Sequence, residues 1–259
     1  TNKANITAQR LFGNTLFTKI ISYTCGACDA RMSGAMVPVM SNSGSGNQGI
    51  SCSIPVYLYA QENHCSKEQT LRALALSNLA VIYIKQSLGR LSALCGCVVA
   101  ATGSAAGITY LMGGDYEEIT YAIKNMIANI SGMICDGAKP GCALKVTSGV
   151  ATAIFSAYLA MQHSFADSTE GIVEDDIDRT IHNLTRIGHD GMQISITAQE
   201  TWREILVDAQ HIVYHKHLAI RCTTRTDTDG GDRQFLRYAL GQSCGNLLQH
   251  DGEATSLLQ

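Results

Sequence analysis

The spacing of apolar residues predicts helices through most of the middle of the chain. Between residues 66 and 192, apolar side chains recur every three or four positions, which places them on one face of a helix. Further helices are predicted at about 143–160 and, shorter and amphipathic, at about 174–187. The pattern indicates an all-α packed helical domain. Two helices precede these. The apolar face of the first comprises Leu71, Leu74, Leu76, Leu79, Val81 and Ile82, and that of the second comprises Ile119, Ile123, Met126, Ile127 and Ile130.

Two of these helices have recognisable starts. Ser66 precedes Gln69 by three positions, the spacing of a capping box. Asp115 precedes Glu117 and Glu118, whose carboxylates suit the positive end of a helix. The sequence therefore predicts that helices begin just after Ser66 and Asp115.

The two ends of the chain are less regular. Residues 1–65 are rich in Gly, Ser and Asn, and the run at 40–49 (MSNSGSGNQG) predicts a Gly/Ser-rich N-terminal loop region whose backbone approaches another group closely. A flexible linker is the alternative, but the run has apolar flanks. Residues 193–259 lose their periodicity and predict a weakly folded or disordered C-terminal tail. We expect one domain over residues 1–192 and a divergent segment over 193–259.

Residues 91–114 contain no charged side chain and are long enough to span a bilayer. They are dominated by Ala, Gly, Ser and Thr rather than by bulky apolar residues. Small residues allow neighbouring helices to pack closely. A helix buried at the centre of the domain is therefore favoured over a membrane span, and no membrane partner is expected.

Composition narrows the class of protein. The chain has 259 residues, of which 46% are hydrophobic and 16% charged, with a net charge of −3. These values exclude global disorder and give no indication of a nucleic-acid partner. Ten cysteines without a recognisable signal peptide favour a reducing, cytoplasmic location, with some cysteines as metal ligands. Because the chain opens at Thr1 without a clear domain start, we expect a fragment.

Three cysteines form a candidate metal site. Cys135 and Cys142 bracket a tight Gly- and Pro-containing segment between two predicted helices, and Cys95 lies on the charge-free stretch. Three thiolates suit an iron–sulfur cluster in which one iron keeps no protein ligand. Such an iron acts as a Lewis acid towards a substrate heteroatom. The equally weighted alternative is that these are ordinary buried thiols.

Other candidate motifs carry less weight. Cys25 and Cys28 form a C-x-x-C pair, but no second pair and no thioredoxin-like pattern accompanies them. His211, His215 and His217 have metal-compatible spacing without a completing ligand. The sequence contains no standard phosphate-binding glycine motif and no G-x-S-x-G elbow.

Several long motifs resemble the L-cysteine desulfidase family, which is related to the alpha chain of bacterial iron–sulfur L-serine dehydratases. The similarity extends from about residue 24 to 192. Its motifs are residues 28–32 (CDARM), 38–50 (PVMSNSGSGNQGI), 91–95 (LSALC), 131–139 (SGMICDGAK), 142–145 (CALK) and 170–173 (EGIV).

The resemblance implies a 4Fe-4S lyase with Cys95, Cys135 and Cys142 as cluster ligands, in agreement with the site proposed from spacing. The implied reaction is β-elimination of L-cysteine to sulfide, ammonia and pyruvate. The implied substrate is a small L-amino acid, with its carboxylate held by backbone N–H groups and side-chain amides of one loop. That loop comprises Ser43, Gly44, Ser45, Gly46, Asn47 and Gln48.

Alternatives remain at this point. L-Serine ammonia-lyase chemistry on the same cluster competes with cysteine desulfidation. Family members also carry an amino-terminal domain with a catalytic cysteine in a Gly-Cys-Thr-Glu-Pro context, which nothing here matches, so a truncated, non-catalytic cluster-binding remnant is the other alternative. The catalytic base is unassigned. The oligomeric state is open, with a homo-oligomer among the choices. No lysine has a pyridoxal phosphate context, since Lys139 and Lys145 simply flank the cysteine segment.

Overall fold

The protein is an all-α packed helical domain, as the apolar spacing predicts. It is represented by a computed structural model that describes residues 10–89 and 92–192. The predicted tail at 193–259 and its histidines lie outside the described residues. Seven α-helices lie entirely within the described part: α1 Leu16–Met32, α2 Gly46–Glu62, α3 Lys67–Leu88, α4 Gly96–Leu111, α5 Tyr116–Ile130, α6 Cys142–Ala160 and α7 Ile177–Arg186, followed by a π-helical turn at Ile187–Gly191.

Helix α4 lies at the centre of the domain, in contact with α2, α3, α5 and α6. Thirteen of its sixteen residues are buried. The close packing depends on glycines. A Cβ added to Gly103 would lie 2.4 Å from the carbonyl oxygen of Ser77, and one added to Gly107 would lie 2.8 Å from a methyl carbon of Val56. The prediction of a buried central helix built from small residues is confirmed.

The predicted helix starts are also confirmed. Ser66 and Gln69 form a capping box at the start of α3. Asp115 accepts a hydrogen bond from the Glu117 backbone N–H, and Glu118 completes a second capping box at the start of α5. Helices α6 and α7 lie where the apolar spacing places them.

The Gly/Ser-rich N-terminal region differs from the expectation, because it contains two helices. Helix α1 is capped by Thr15 and α2 by Ser45, so the loop between them covers only residues 33–45. The second half of the Gly/Ser-rich run is the first turn of α2. The physical reason is steric: a Cβ on Gly49 would lie 1.9 Å from the carbonyl oxygen of Met40. Here glycine serves close packing inside a helix rather than chain flexibility.

One described helix, Cys142–Ala160, is long and apolar enough to cross a membrane by length and composition alone. A core helix of a globular domain passes the same test. This helix contacts α1, α4 and α5 within the domain.

Candidate active site

Two of the predicted ligand cysteines are held by a short backbone pairing. The N–H of Cys95 donates to the carbonyl of Met133 at 2.9 Å, and the N–H of Cys135 donates to the carbonyl of Ala93 at 2.7 Å. These bonds enclose an isolated antiparallel bridge between Leu94 and Ile134. The segment before α4 is therefore fixed against the segment after α5.

Cys142 joins this pair from the first turn of α6. Its thiol donates to the carbonyl of Gly137 at 3.5 Å, which ties it to the segment that begins with Cys135. Burial raises the pKa of the Cys135 thiol, and the charges that Cys95 and Cys142 would carry raise it further. The three thiols are thus close enough to influence one another electrostatically.

Helix α4 gives Cys95 a distinct environment, because Cys95 is its N-cap. A hydrogen bond from Cys97 lowers the pKa of the Cys95 thiol, and backbone N–H groups of Cys97 and Val98 lower it further. The same pairing raises the pKa of Cys97, which is deeply buried. Cys95 is therefore prepared to exist as a thiolate, the form that binds metals.

The donor set consists of thiols. No group of three or more His, Cys, Asp or Glu side chains that could hold a metal ion is found within residues 10–89 and 92–192. Iron–sulfur clusters are held by cysteine thiolates, each bound to a separate iron. Three neighbouring thiols, mostly buried, are the donors that such a cluster uses.

The predicted substrate loop is partly a helix terminus. Ser45 accepts a hydrogen bond from the Asn47 N–H at 3.3 Å as the N-cap of α2. Ser43 donates to the Gln48 side-chain oxygen at 2.5 Å, and Asn42 donates to Asn78 of α3 at 3.0 Å. Side-chain hydrogen bonds thus fix the loop at both of its ends.

This loop lies next to the cysteine site. A Cβ on Gly96 would lie 2.4 Å from the side-chain nitrogen of Gln48, so the Gln48 amide rests against the first turn of α4. Cys95 immediately precedes that turn. The structure therefore brings together the two features that the sequence indicated separately, the Ser43–Gln48 segment and the cysteines.

A buried lysine, Lys85, stands beside the cysteines and is absent from the sequence-based site. Only 8% of its surface is exposed. Burial lowers the pKa of Lys85 to about 8, while the nearby Cys135 and Cys95 act to raise it. Its position does carry a signal: it shares the buried face of α3 with Val81, Ile84 and Leu88, where helical spacing predicts an apolar residue.

Arg31 is the second cation that the sequence-based site lacks. It lies in the last turn of α1, half-buried, and donates to the side-chain oxygen of Asn47 at 3.0 Å. Burial lowers the pKa of its guanidinium, and Cys28, Cys142 and Cys97 act in the opposite direction. Arg31 therefore stands between the predicted substrate loop and the cysteines.

The remaining sequence candidates are placed as structural groups. Cys25 and Cys28 are both buried within α1 and carry no disulfide. Burial raises the pKa of Cys28 to about 12, which disfavours a reactive thiolate. Lys139 and Lys145 both form ion pairs with Asp136. Lys145 also donates to the Ile134 carbonyl at 2.7 Å, so these charges brace the segment between Cys135 and Cys142.

Comparison with known proteins gives a family match over most of the chain. The family described as the serine dehydratase alpha chain matches residues 2–199. A UPF0597 protein of Phocaeicola vulgatus is 66% identical over 190 residues, which are 73% of this chain and 44% of that relative. UPF0597 proteins of Bacteroides fragilis and Bacteroides thetaiotaomicron are 64% and 63% identical over 184 residues, 71% of this chain and 43% of each relative.

The chain thus spans less than half the length of these relatives. No solved structure matches it. The region that matches the family, residues 2–199, includes the Ser43–Gln48 loop, the three cysteines, Lys85 and Arg31.

Proposed function

This chain belongs to the serine dehydratase alpha chain family, and from that premise we propose that it carries the cluster-binding part of a 4Fe-4S lyase that eliminates sulfide from L-cysteine. The products are sulfide, ammonia and pyruvate. The family supports a lyase acting on a small amino acid. The finer assignment to cysteine rests on the motifs that resemble the L-cysteine desulfidases.

The observation that carries the proposal is the position of the three cysteines relative to the loop. Cys95 and Cys135 are aligned by the bridge between residues 94 and 134, and Cys142 approaches from the next helix. Gln48 of the loop rests against the helix turn that follows Cys95. A ligand held by the loop would therefore lie next to whatever the thiols hold.

Cys95, Cys135 and Cys142 would hold the cluster, which supplies a Lewis-acidic iron that has no protein ligand. The protein contributes the electrostatic setting. The lowered pKa of Cys95 favours its thiolate, and Lys85 adds positive charge near Cys95 and Cys135. Asp136, Lys139 and Lys145 keep the connecting segment in place.

The elimination balances without an added oxidant or reductant. A base removes the α-proton of L-cysteine, the electron pair forms a Cα–Cβ double bond, and the Cβ–S bond breaks to release the sulfur as sulfide. Tautomerisation of the aminoacrylate to an imine and addition of one water then give pyruvate and ammonia. The chain's role is to fix the amino acid, with the Ser43–Gln48 segment and the side-chain amides of Asn47 and Gln48 as the binding groups.

L-Serine ammonia-lyase activity is the second candidate function, and the match to the serine dehydratase alpha chain favours it. The reaction is the same except that the Cβ–O bond breaks and hydroxide leaves. A thiol is the softer ligand and the better leaving group, whereas serine needs stronger polarisation of its hydroxyl.

The experiment uses this chain after anaerobic reconstitution with iron and sulfide. Iron per chain and the visible spectrum are measured first, followed by release of sulfide from L-cysteine and of pyruvate from L-serine. The proposal expects about four irons per chain, the content of a 4Fe-4S cluster, and faster turnover of L-cysteine. Faster turnover of L-serine would replace it with the second candidate.

A cluster that forms without turnover of either amino acid would indicate a cluster-binding part that has no activity by itself. The longer relatives provide the matched control, because the same assay on the Phocaeicola vulgatus protein, of which this chain covers 44%, tests the site within a longer chain. Absence of bound iron in both proteins would refute the cluster assignment.

A further inference from the structure

We propose that Arg31 recognises the α-carboxylate of the amino acid substrate and so determines that the site accepts amino acids. The inference rests on the proposed function and adds a residue to it. Arg31 belongs to α1, outside both the loop and the cysteine segments. Its contacts nevertheless place it at the junction between them.

The first observation is the hydrogen bond from Arg31 to Asn47. The guanidinium donates at 3.0 Å to a side chain of the proposed binding segment. Asn47 is itself buried, with 5% of its surface exposed, so this pair belongs to the interior of the site rather than to the solvent-exposed surface. A substrate held beside Asn47 would lie within reach of the guanidinium.

The second observation is the space that Gly46 provides. A Cβ at this position would lie 2.5 Å from the Nε atom of Arg31 and 3.1 Å from its Cζ atom. Any other residue would push the guanidinium away from the start of α2. The glycine at position 46 therefore leaves the space that the guanidinium occupies.

The third observation is the relation of Arg31 to the thiols. Among the thiols whose charges would act on the pKa of Arg31, Cys142 is one of the three candidate cluster ligands. Arg31 therefore lies near one member of the cysteine site as well as in contact with the loop. Arginine stays charged despite burial, and its planar group of N–H donors matches a carboxylate with two parallel hydrogen bonds. A small amino acid bound here would place its carboxylate on Arg31 and its β-substituent towards the thiols.

The test compares two ligands that the enzyme cannot convert. L-Alanine has the carboxylate but no β-leaving group, whereas L-alaninamide lacks the carboxylate charge. Binding of each is measured by isothermal titration calorimetry on the reconstituted chain, for the wild type, Arg31→Gln and Arg31→Lys. Iron content and thermal unfolding of every variant are recorded alongside.

We expect Arg31→Gln to weaken L-alanine binding by about 10- to 100-fold, the range of a lost charged hydrogen-bonding pair. Binding of L-alaninamide should change less than twofold, and Arg31→Lys should recover part of the loss because it keeps the charge. Gly46→Ala should weaken L-alanine binding in the same way, since it displaces the guanidinium without removing it.

Unchanged L-alanine binding in Arg31→Gln would overturn the inference. An equal loss of affinity for L-alanine and L-alaninamide in this variant would also overturn it, because Arg31 would then have only a structural role. A wild type that does not distinguish the two ligands would also overturn it. The proposed function fails separately. If L-alanine binding depends on Arg31 but neither this chain nor the longer Phocaeicola vulgatus relative releases sulfide or pyruvate, the lyase assignment falls and the carboxylate site stands. If product is released but Arg31→Gln binds L-alanine with wild-type affinity, the carboxylate site falls and the lyase assignment stands.

Discussion

Gly49→Ala tests whether the position of the binding loop depends on close contact with helix α2. The added Cβ would lie 1.9 Å from the carbonyl oxygen of Met40 and 2.7 Å from its carbonyl carbon. Non-bonded heavy atoms are normally about 3.5 Å apart, so the carbonyl would have to retreat by about 1.5 Å. A backbone atom cannot move this far alone, and the loop that follows Met40 must move with it.

The magnitude follows from the hydrogen bonds that the movement breaks. Two side-chain hydrogen bonds hold the loop, one donated by Ser43 to Gln48 and one donated by Asn42 to Asn78. Each such bond contributes about 1 kcal/mol net, and overpacking adds about 1–3 kcal/mol. Alanine has a better helix propensity than glycine, which offsets about 1 kcal/mol of this destabilisation. We expect a net destabilisation of about 3 kcal/mol and a fall in Tm of about 9 °C.

The functional effect should exceed the effect on stability. A displacement of about 1 Å at a binding site commonly costs about 100-fold in activity, so L-cysteine turnover should fall far more than the folded fraction. The assays are thermal unfolding by circular dichroism and sulfide release, with iron content as a check on the cysteines. Gly132→Ala is the control, because a Cβ there meets nothing within 4 Å. A Gly49→Ala protein with wild-type Tm and turnover would refute the proposed role of this contact.

Three further predictions concern the metal site, the core and a helix cap. Cys135→Ala should abolish the brown absorbance of reconstituted protein whereas Cys65→Ala should keep it; unchanged iron content in the first variant would refute the ligand assignment. Gly103→Ala should lower Tm more than Gly149→Ala. The Cβ added at position 103 would lie 2.4 Å from its nearest neighbour, whereas the one added at position 149 would lie 3.1 Å from its own. Equal Tm values for the two variants would contradict this prediction. The backbone N–H of Glu117 lowers the pKa of Asp115 from 3.8, so the charged Asp115 stabilises the folded state above that pH. Asp115→Asn should therefore lower stability at pH 7, and the loss should shrink as the pH falls below 4, as measured by thermal unfolding. A loss of stability that does not change with pH would contradict this prediction.

The sequence alone determined the helical class and the boundaries of several elements. Capping residues such as Ser66 and Asp115 act on backbone groups within the same turn, so their effect is visible in a few consecutive residues. The small-residue composition of residues 91–114 likewise indicates a central buried helix. Cys135 and Cys142 could be selected because the tight Gly- and Pro-containing segment between them constrains where their thiols lie. Cys95 was predicted from its place on the charge-free stretch and from the motifs that resemble the family.

Tertiary structure decided where the Gly/Ser-rich run became helical and which charges reached the site. Gly49 lies inside a helix because its missing Cβ accommodates the Met40 carbonyl, a contact that local propensity does not contain. Lys85 and Arg31 come from α3 and α1, and no short motif connects them to the cysteines. Their burial and their altered pKa values arise from segments packed together from distant parts of the chain, since the desolvation of a charge depends on all the atoms around it rather than on its neighbours in sequence.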